Sequence, residues 1–196
     1  MPTLQPEEYD ISYFDGRKAT YRHNAGYSEY SRWHRHDGAN SAGEFFKDQA
    51  AKWVAQFNFT GTLLDIGCAK GFHVQDLREL GVDAWGVDVS PYAIGEADPV
   101  VAPYLSVADI RTHIDTYANK QWDVIFSARF LGCLAESELP SIITGMNRKS
   151  KQQIHIIDEQ PNPTFYIARP LSWWAQQGFA KGTRLVSHET NQVVVV

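Results

Sequence analysis

Two acidic residues and the glycine turn between them are the part of the sequence whose types and spacing indicate ligand binding. Asp65 lies near the end of a short apolar run, residues 67–71 (Gly-Cys-Ala-Lys-Gly) follow it, and Asp88 ends the next apolar run. Without side chains at 67 and 71, backbone N–H groups can approach a ligand closely, and a carboxylate can accept hydrogen bonds from two adjacent hydroxyls. A turn that only joins a strand to a helix would explain the glycines but not both acids.

The spacing of the small residues within the turn discriminates between two kinds of cofactor. A dinucleotide fingerprint, Gly-x-Gly-x-x-Gly, needs small residues at 67, 69 and 72, and position 72 is Phe, which disfavours NAD. The pattern present is acid-x-Gly-x-small-x-Gly, formed by Asp65, Gly67, Ala69 and Gly71. In this pattern the chain resembles the class I S-adenosylmethionine-dependent methyltransferases, whose first motif has this form and whose second strand ends in an acid.

The resemblance implies S-adenosyl-L-methionine as the cofactor and assigns positions to its parts. The glycine turn would lie against the methionine and ribose, and Asp88 would take both ribose hydroxyls. An acid after the third strand meets adenine in the family, although Asp109 is also placed to cap the helix that follows. The cofactor-binding residues expected in this way are Tyr27, Tyr30, Asp65, Gly67, Cys68, Ala69, Gly71, Asp88, Val89, Ala108, Asp109, Ile110 and Ser127.

The elements that must position these residues indicate an α/β, Rossmann-like domain. Its sheet is expected to have seven mostly parallel strands, with helices on both faces and an antiparallel last strand, as in the family it resembles. We expect strands at 62–66, 84–88, 104–108, 122–128, 153–157, 182–189 and 192–196. Helices are expected at 41–57, 72–80, 90–97, 111–119 and 136–148. The carboxyl ends of the strands should converge on one crevice.

Composition limits the class of protein. A chain of 196 residues with 43% hydrophobic content suits one domain, expected at 41–196 behind an N-terminal segment. No apolar run of about 18 residues or signal-peptide pattern is present, so we expect a cytoplasmic protein without a membrane segment. Two cysteines without ligand spacing predict reduced thiols and no metal site. The oligomeric state is not indicated.

The N-terminal residues 1–40 lack clean periodicity and are rich in Tyr and His, which favours an ordered lid over the cofactor. Tyr27 and Tyr30 are expected at the methionine end. His34, His36 and Asp37 form a metal-ligand pattern too weak to support a metal.

Charge is unevenly distributed. The net charge of −5 makes nucleic acid an improbable partner, yet residues 16–36 carry five basic side chains against one acidic one. This segment suits either an anionic small-molecule substrate or a solvated surface.

The end of the fourth strand should receive the methyl acceptor. Its sequence, Ser127-Ala128-Arg129-Phe130, lacks the Asn/Asp-Pro-Pro-aromatic signature of amine methylation on bases and the Pro-Cys of cytosine carbon methylation. The general base is not identified by any motif, and the candidate catalytic residues are Arg129, Asp158, Glu159 and His34. Arg129 would hold an anionic substrate or pair with a carboxylate. An Asp158–Glu159 metal pair lacks its third acid, because Ser127 stands there.

The function expected is methyl transfer from S-adenosylmethionine to oxygen or nitrogen of a small metabolite. A sugar or nucleotide-linked sugar is preferred, because of the basic segment and a general resemblance to small stand-alone phage and bacterial enzymes found with glycan-modifying genes. Two alternatives are modification of nucleic acid and a non-catalytic module that binds the cofactor.

Overall fold

The computed structural model describes residues 6–14, 42–59, 61–114, 121–161 and 166–196. Seven strands form one sheet in the order β3-β2-β1-β4-β5-β6-β7, parallel except for the β6–β7 pair. This arrangement confirms the predicted Rossmann-like sheet with an antiparallel last strand. The strands are β1 Thr62–Ile66, β2 Asp83–Asp88, β3 Leu105–Val107, β4 Trp122–Ala128, β5 Ser150–Ile157, β6 Arg184–Ser187 and β7 Val193–Val195.

Seven α-helical segments surround the sheet in the described part of the chain. They are α1 Ile11–Phe14, α2 Ala42–Phe57, α3 Phe72–Glu79, α4 Pro91–Gly95, α5 Ile110–His113, α6 Leu139–Lys149 and α7 Leu171–Trp174. Short 3₁₀ turns occur at Pro6–Glu8, Ala102–Tyr104 and Leu131–Cys133. No helix of the described ranges is long and apolar enough to cross a membrane.

Several element bounds differ from the sequence predictions. The helix expected from 136 begins at Leu139, so that Pro140 falls in the first turn, where its missing N–H costs nothing. The strand expected from 153 begins at Ser150, immediately after that helix. The third strand has only three residues. Ser41, the first residue of the helix expected at 41–57, lies outside the described residues.

The core has one apolar layer on each face of the sheet. Leu63 and Phe126 pack with residues of α2 and α3, such as Trp53 and Val74. Strand neighbours that point the other way pack with α6 and α7, where Trp174 is fully buried. Because side chains alternate along a strand, Asp65 shares the α2–α3 face with Leu63, and Ser127 points to the α6–α7 face.

Candidate cofactor and methyl-transfer site

The glycine turn after β1 has a backbone that only small residues support. Gly67, Ala69 and Gly71 have positive φ angles of 76°, 50° and 77°. The N–H groups of Gly67 and Cys68 donate to the carbonyl of Val87 in β2, at 2.8 and 3.1 Å. These bonds fix the turn against β2.

Both glycines are also required by neighbouring side chains. A Cβ at Gly67 would lie 2.5 Å from the Phe130 ring, and one at Gly71 would lie 2.6 Å from a Leu105 methyl group. The buried thiol of Cys68 packs close to Gly86 of β2. The turn is therefore clamped between the ends of β2, β3 and β4.

Asp88 braces this turn. One carboxylate oxygen accepts the Ala69 N–H at 2.8 Å, and the other accepts the Ser90 N–H at 2.9 Å. Burial raises the pKa of Asp88, and the hydrogen bonds from Ser90, Ala69 and Val89 oppose that rise. Each carboxylate oxygen has two lone pairs, so two ribose hydroxyls can still be accepted.

Asp65 is a buried acid without a protein partner. Its side chain is 1% exposed, and neither oxygen has a hydrogen-bond partner in the described structure. Burial raises the pKa of Asp65 well above its usual value, and the nearby charge of Asp88 adds to the rise. A buried carboxyl without partners is costly unless a cation completes it. The α-ammonium and sulfonium of S-adenosylmethionine supply such a cation, so the residues present fit this cofactor.

The expected adenine end is built around Asp109. The Asp109 carboxylate caps α5 by accepting the Arg111 N–H at 2.9 Å, and it also forms a two-oxygen ion pair with the Arg111 guanidinium. Ala108 donates its N–H to the carbonyl of Asp88 at 2.9 Å, which joins this end to the ribose end. Ile110 is 4% exposed, and its side chain packs in the α6–α7 layer instead of facing the crevice.

The side chain of Ser127, a residue expected at the cofactor, is buried in the α6–α7 layer. Its hydroxyl lies 2.8 Å from Nδ1 of His155, within the α6–α7 layer. A chain of hydrogen bonds continues from His155. Its Nε2 lies 3.3 Å from Gln153 Oε1, and Gln153 Nε2 donates to Asn147 Oδ1 at 2.8 Å. The same Asn147 oxygen accepts the Ala180 N–H. Burial lowers the pKa of His155 to about 3, so its ring is neutral. The alternation of side chains along β4 decides which way the Ser127 side chain points, and the sequence Ser127-Ala128-Arg129-Phe130 alone does not reveal it.

Arg129 and Asp158, two of the candidate catalytic residues, form an ion pair. Arg129 Nε lies 2.6 Å from Asp158 Oδ2, and the carboxylate is 8% exposed. The Arg129 backbone has φ 61°, a left-handed conformation that a long side chain adopts only when the surroundings impose it. Of the two roles considered for Arg129, pairing with a carboxylate is the one observed.

The other two candidates differ in status. Glu159 Oε1 accepts the Leu171 N–H at 2.9 Å at the start of α7, so its carboxylate supports the backbone. His34 lies outside the described residues. Two residues that the sequence did not single out complete this region: His188, the first residue after β6, and Glu189, which accepts the N–H groups of Glu159 and Gln160.

Residues 6–14 form an N-terminal arm that docks on the site. Ser90 Oγ donates to the Tyr9 carbonyl at 2.5 Å, and Phe14 packs with Ala69 and Ala93. Burial raises the pKa of the Tyr9 phenol, and Asp88 is among the charges that act on it. The arm therefore reaches the ribose end.

Tyr13 connects the arm to the end of β4. Its hydroxyl hydrogen-bonds to Cys133, whose thiol pKa is raised to about 12, chiefly by burial. The two tyrosines chosen from the sequence, Tyr27 and Tyr30, lie outside the described residues, so Tyr9 and Tyr13 are additions from the structure. The sequence showed that this stretch is rich in tyrosine, but it did not show which tyrosines reach the site.

No group of three or more His, Cys, Asp or Glu side chains within the described ranges is arranged to hold a metal ion.

Comparison with known proteins agrees with this geometry. A family model described as a methyltransferase domain matches residues 34–191. A structure concerned with converting a disulfide bond into a thioacetal group during echinomycin biosynthesis is 20% identical, with TM-score 0.54, covering 76% of this chain and 77% of that one. A search of curated protein sequences found no significant match.

Two further structures share part of the chain. An S-adenosylmethionine-dependent methyltransferase from Archaeoglobus fulgidus is 21% identical with TM-score 0.49, covering 56% of this chain and 48% of that chain, about half its length. A TehB-like S-adenosylmethionine-dependent methyltransferase from Corynebacterium glutamicum is 24% identical with TM-score 0.47, covering 61% and 63%. With the family match over most of the chain and the acid-glycine-acid site, the chain belongs to the class I S-adenosylmethionine-dependent methyltransferase family.

Proposed function

We propose that this enzyme transfers a methyl group from S-adenosylmethionine to oxygen or nitrogen of a small metabolite in the cytoplasm, with a sugar or nucleotide-linked sugar as the preferred class. The observation that carries the cofactor assignment is Asp65, a buried carboxyl with no partner beside the glycine turn. The cofactor, when bound, supplies an electrophilic methyl group on a good leaving group. The protein has to orient the acceptor and remove its proton.

Each part of the crevice has a proposed task. Asp65 would hold the positive end of the cofactor, Asp88 the ribose hydroxyls, and Asp109 with the backbone of Ala108 the adenine. Phe130 would close the methionine side, since its ring lies against Gly67. Residues 6–14 would cover the ribose, as part of the lid proposed for residues 1–40.

The described charges do not favour an anionic acceptor. At the ends of β4 to β6, Arg129 is neutralised by Asp158, and Glu159 and Glu189 add negative charge. The basic residues that suggested an anionic substrate lie in 16–36, outside the described ranges. Within the preferred class, the described charges therefore favour a neutral sugar over a nucleotide-linked sugar.

Calorimetric titration with S-adenosylhomocysteine tests the cofactor assignment, with NAD as the negative control. Micromolar binding of S-adenosylhomocysteine alone is expected. Acceptors are then screened by release of S-adenosylhomocysteine in three classes: nucleotide sugars, uncharged metabolites, and nucleic acid. Turnover on nucleic acid that weakens steeply with salt would replace the metabolite proposal. Absence of cofactor binding would contradict the site assignment as a whole.

A further inference from the structure

Three neighbouring strands end in side chains that together form a polar cluster. Arg129, Asp158 and His188 are the first residues after β4, β5 and β6. The Arg129 N–H donates to the Ile156 carbonyl at 2.9 Å, and the His188 N–H donates to the Ile157 carbonyl at 2.8 Å. We call these three residues the strand-end cluster. Adjacent strands lie about 4.8 Å apart, so the cluster spans roughly 10 Å, the size of a small metabolite.

The strand-end cluster adjoins the proposed cofactor position. Phe130, the residue after Arg129, lies against Gly67 of the turn. The charges of Arg129, Asp158 and Asp88 all act on the pKa of the Cys133 thiol, just after β4, so these three side chains lie near one another. An acceptor over the ends of β4 to β6 would therefore lie near the proposed cofactor position.

Among the polar groups here, His188 has the properties of a proton acceptor. The charged groups facing it are Arg129 from the end of β4, Asp158 from the end of β5, and Glu189 beside it in the chain. Burial and the Arg129 charge lower the pKa of His188, against the opposite effect of Asp158 and Glu189, so the imidazole is neutral at pH 7.

The neighbouring carboxylates already have backbone or ion-pair partners. Asp158 pairs with Arg129, Glu159 accepts the Leu171 N–H, and Glu189 accepts two backbone N–H groups and the Ser187 hydroxyl. These carboxylates therefore already serve structural contacts, which leaves the imidazole of His188 as the group proposed to accept the proton.

We propose that His188 accepts the proton that the methyl acceptor loses, and that this acceptor is a hydroxyl or amine compound seated over the strand-end cluster. The inference rests on the proposed function. In the step, an electron pair on the acceptor oxygen or nitrogen forms the bond to the methyl carbon, and the carbon–sulfur pair passes to sulfur. The O–H or N–H proton moves to His188 and from there to water. The Arg129–Asp158 ion pair would form the part of the site beside His188.

The first test measures the position of His188 without any acceptor. The imidazole of His188 is titrated by NMR in complexes with S-adenosylhomocysteine, which is uncharged at sulfur, and with sinefungin, which carries an ammonium near the methyl position. A positive charge within about 10 Å lowers the pKa of a histidine by about one unit at an effective dielectric constant near 20. We expect a pKa lower by at least about half a unit with sinefungin. Equal pKa values would overturn the proposal.

The second test uses His188→Gln, which also assigns the NMR signal. This variant should bind both ligands with wild-type affinity, because His188 is not placed on the cofactor; a tenfold loss would overturn the proposal. With an acceptor from the screen, kcat/KM should fall about 100-fold or more, and the pH dependence of the wild type should disappear. Unchanged turnover would also overturn it.

These outcomes separate the two proposals. If neither ligand binds, the proposed function fails, and the role of His188 fails with it. If both bind and the His188 pKa is the same in each complex, only the role of His188 fails. His155, buried in the α6–α7 layer, serves as the control whose signal should not change between the complexes.

Discussion

Asp88→Ala should lower both stability and cofactor affinity, because the same carboxylate braces the turn and is proposed to bind the ribose. The change leaves the buried N–H groups of Ala69 and Ser90 without acceptors, at about 1–3 kcal/mol each. Relief from burying an acid whose pKa is raised offsets part of this, leaving a loss of about 2–4 kcal/mol. For a chain of this size that corresponds to a fall in Tm of roughly 5–15 °C, measured by calorimetry and urea unfolding.

Asp123→Ala is the matched control. Asp123 also accepts a backbone N–H, that of Thr62 at 2.8 Å, and pairs with Lys151, but at the amino ends of β1 and β4. Its removal should lower stability and leave S-adenosylhomocysteine affinity unchanged, whereas Asp88→Ala should reduce affinity at least about tenfold, the loss of one hydrogen bond to a charged acceptor. If Asp88→Ala unfolds at the same temperature and urea concentration as the wild type, Asp88 does not stabilise the turn. If its S-adenosylhomocysteine affinity is unchanged, Asp88 does not bind the ribose.

Three further changes test neighbouring features. The pKa of Asp65 is raised in the folded state, so its contribution to stability is present below the unfolded value near 3.8 and is lost as pH rises. Asp65→Asn should therefore stabilise the ligand-free protein at pH 8, measured by calorimetry, and weaken S-adenosylhomocysteine binding. A variant less stable than the wild type would contradict this. Gly71→Ala should lower the free energy of unfolding in urea by at least about 1 kcal/mol more than Gly81→Ala. Both glycines have positive φ, but of the two only Gly71 lacks space for a Cβ. Equal losses would show that the neighbouring Leu105 side chain moves to make room. Ser90→Ala removes the α4 cap and the hydrogen bond to the Tyr9 carbonyl. It should lower the free energy of unfolding by about 1 kcal/mol and speed proteolysis within residues 6–14. An unchanged cleavage rate there would mean that other contacts hold the arm.

Local sequence spacing is enough to bring together the residues of the proposed cofactor half. Asp65 lies in β1, the glycine turn follows β1, and Asp88 ends the adjacent strand β2, all within 24 residues. The turn residues Gly67 and Gly71 have positive φ angles, which glycine adopts without strain.

The acceptor half depends on longer-range packing. Ser127 lies at the end of β4 as predicted, but the alternation of the strand turns its hydroxyl toward His155. His188 reaches Asp158 only because β6 pairs beside β5, a pairing between residues that are 30 positions apart in sequence. No motif in the sequence signals that neighbour, and the same is true of Tyr9, which the course of the arm places at the ribose end.

The buried chain from Ser127 through His155 to Gln153, which ends on Asn147, has a consequence for how this enzyme can diverge. Replacing one of the three buried members leaves its neighbour buried with an unmet hydrogen bond, which costs about 1–3 kcal/mol. Joint replacement of all three by apolar residues of similar shape is nearly neutral, because Asn147 keeps its bond from the Ala180 N–H. These three positions should therefore change together among related proteins. Homologues that differ at one of them are expected to differ at the adjoining ones.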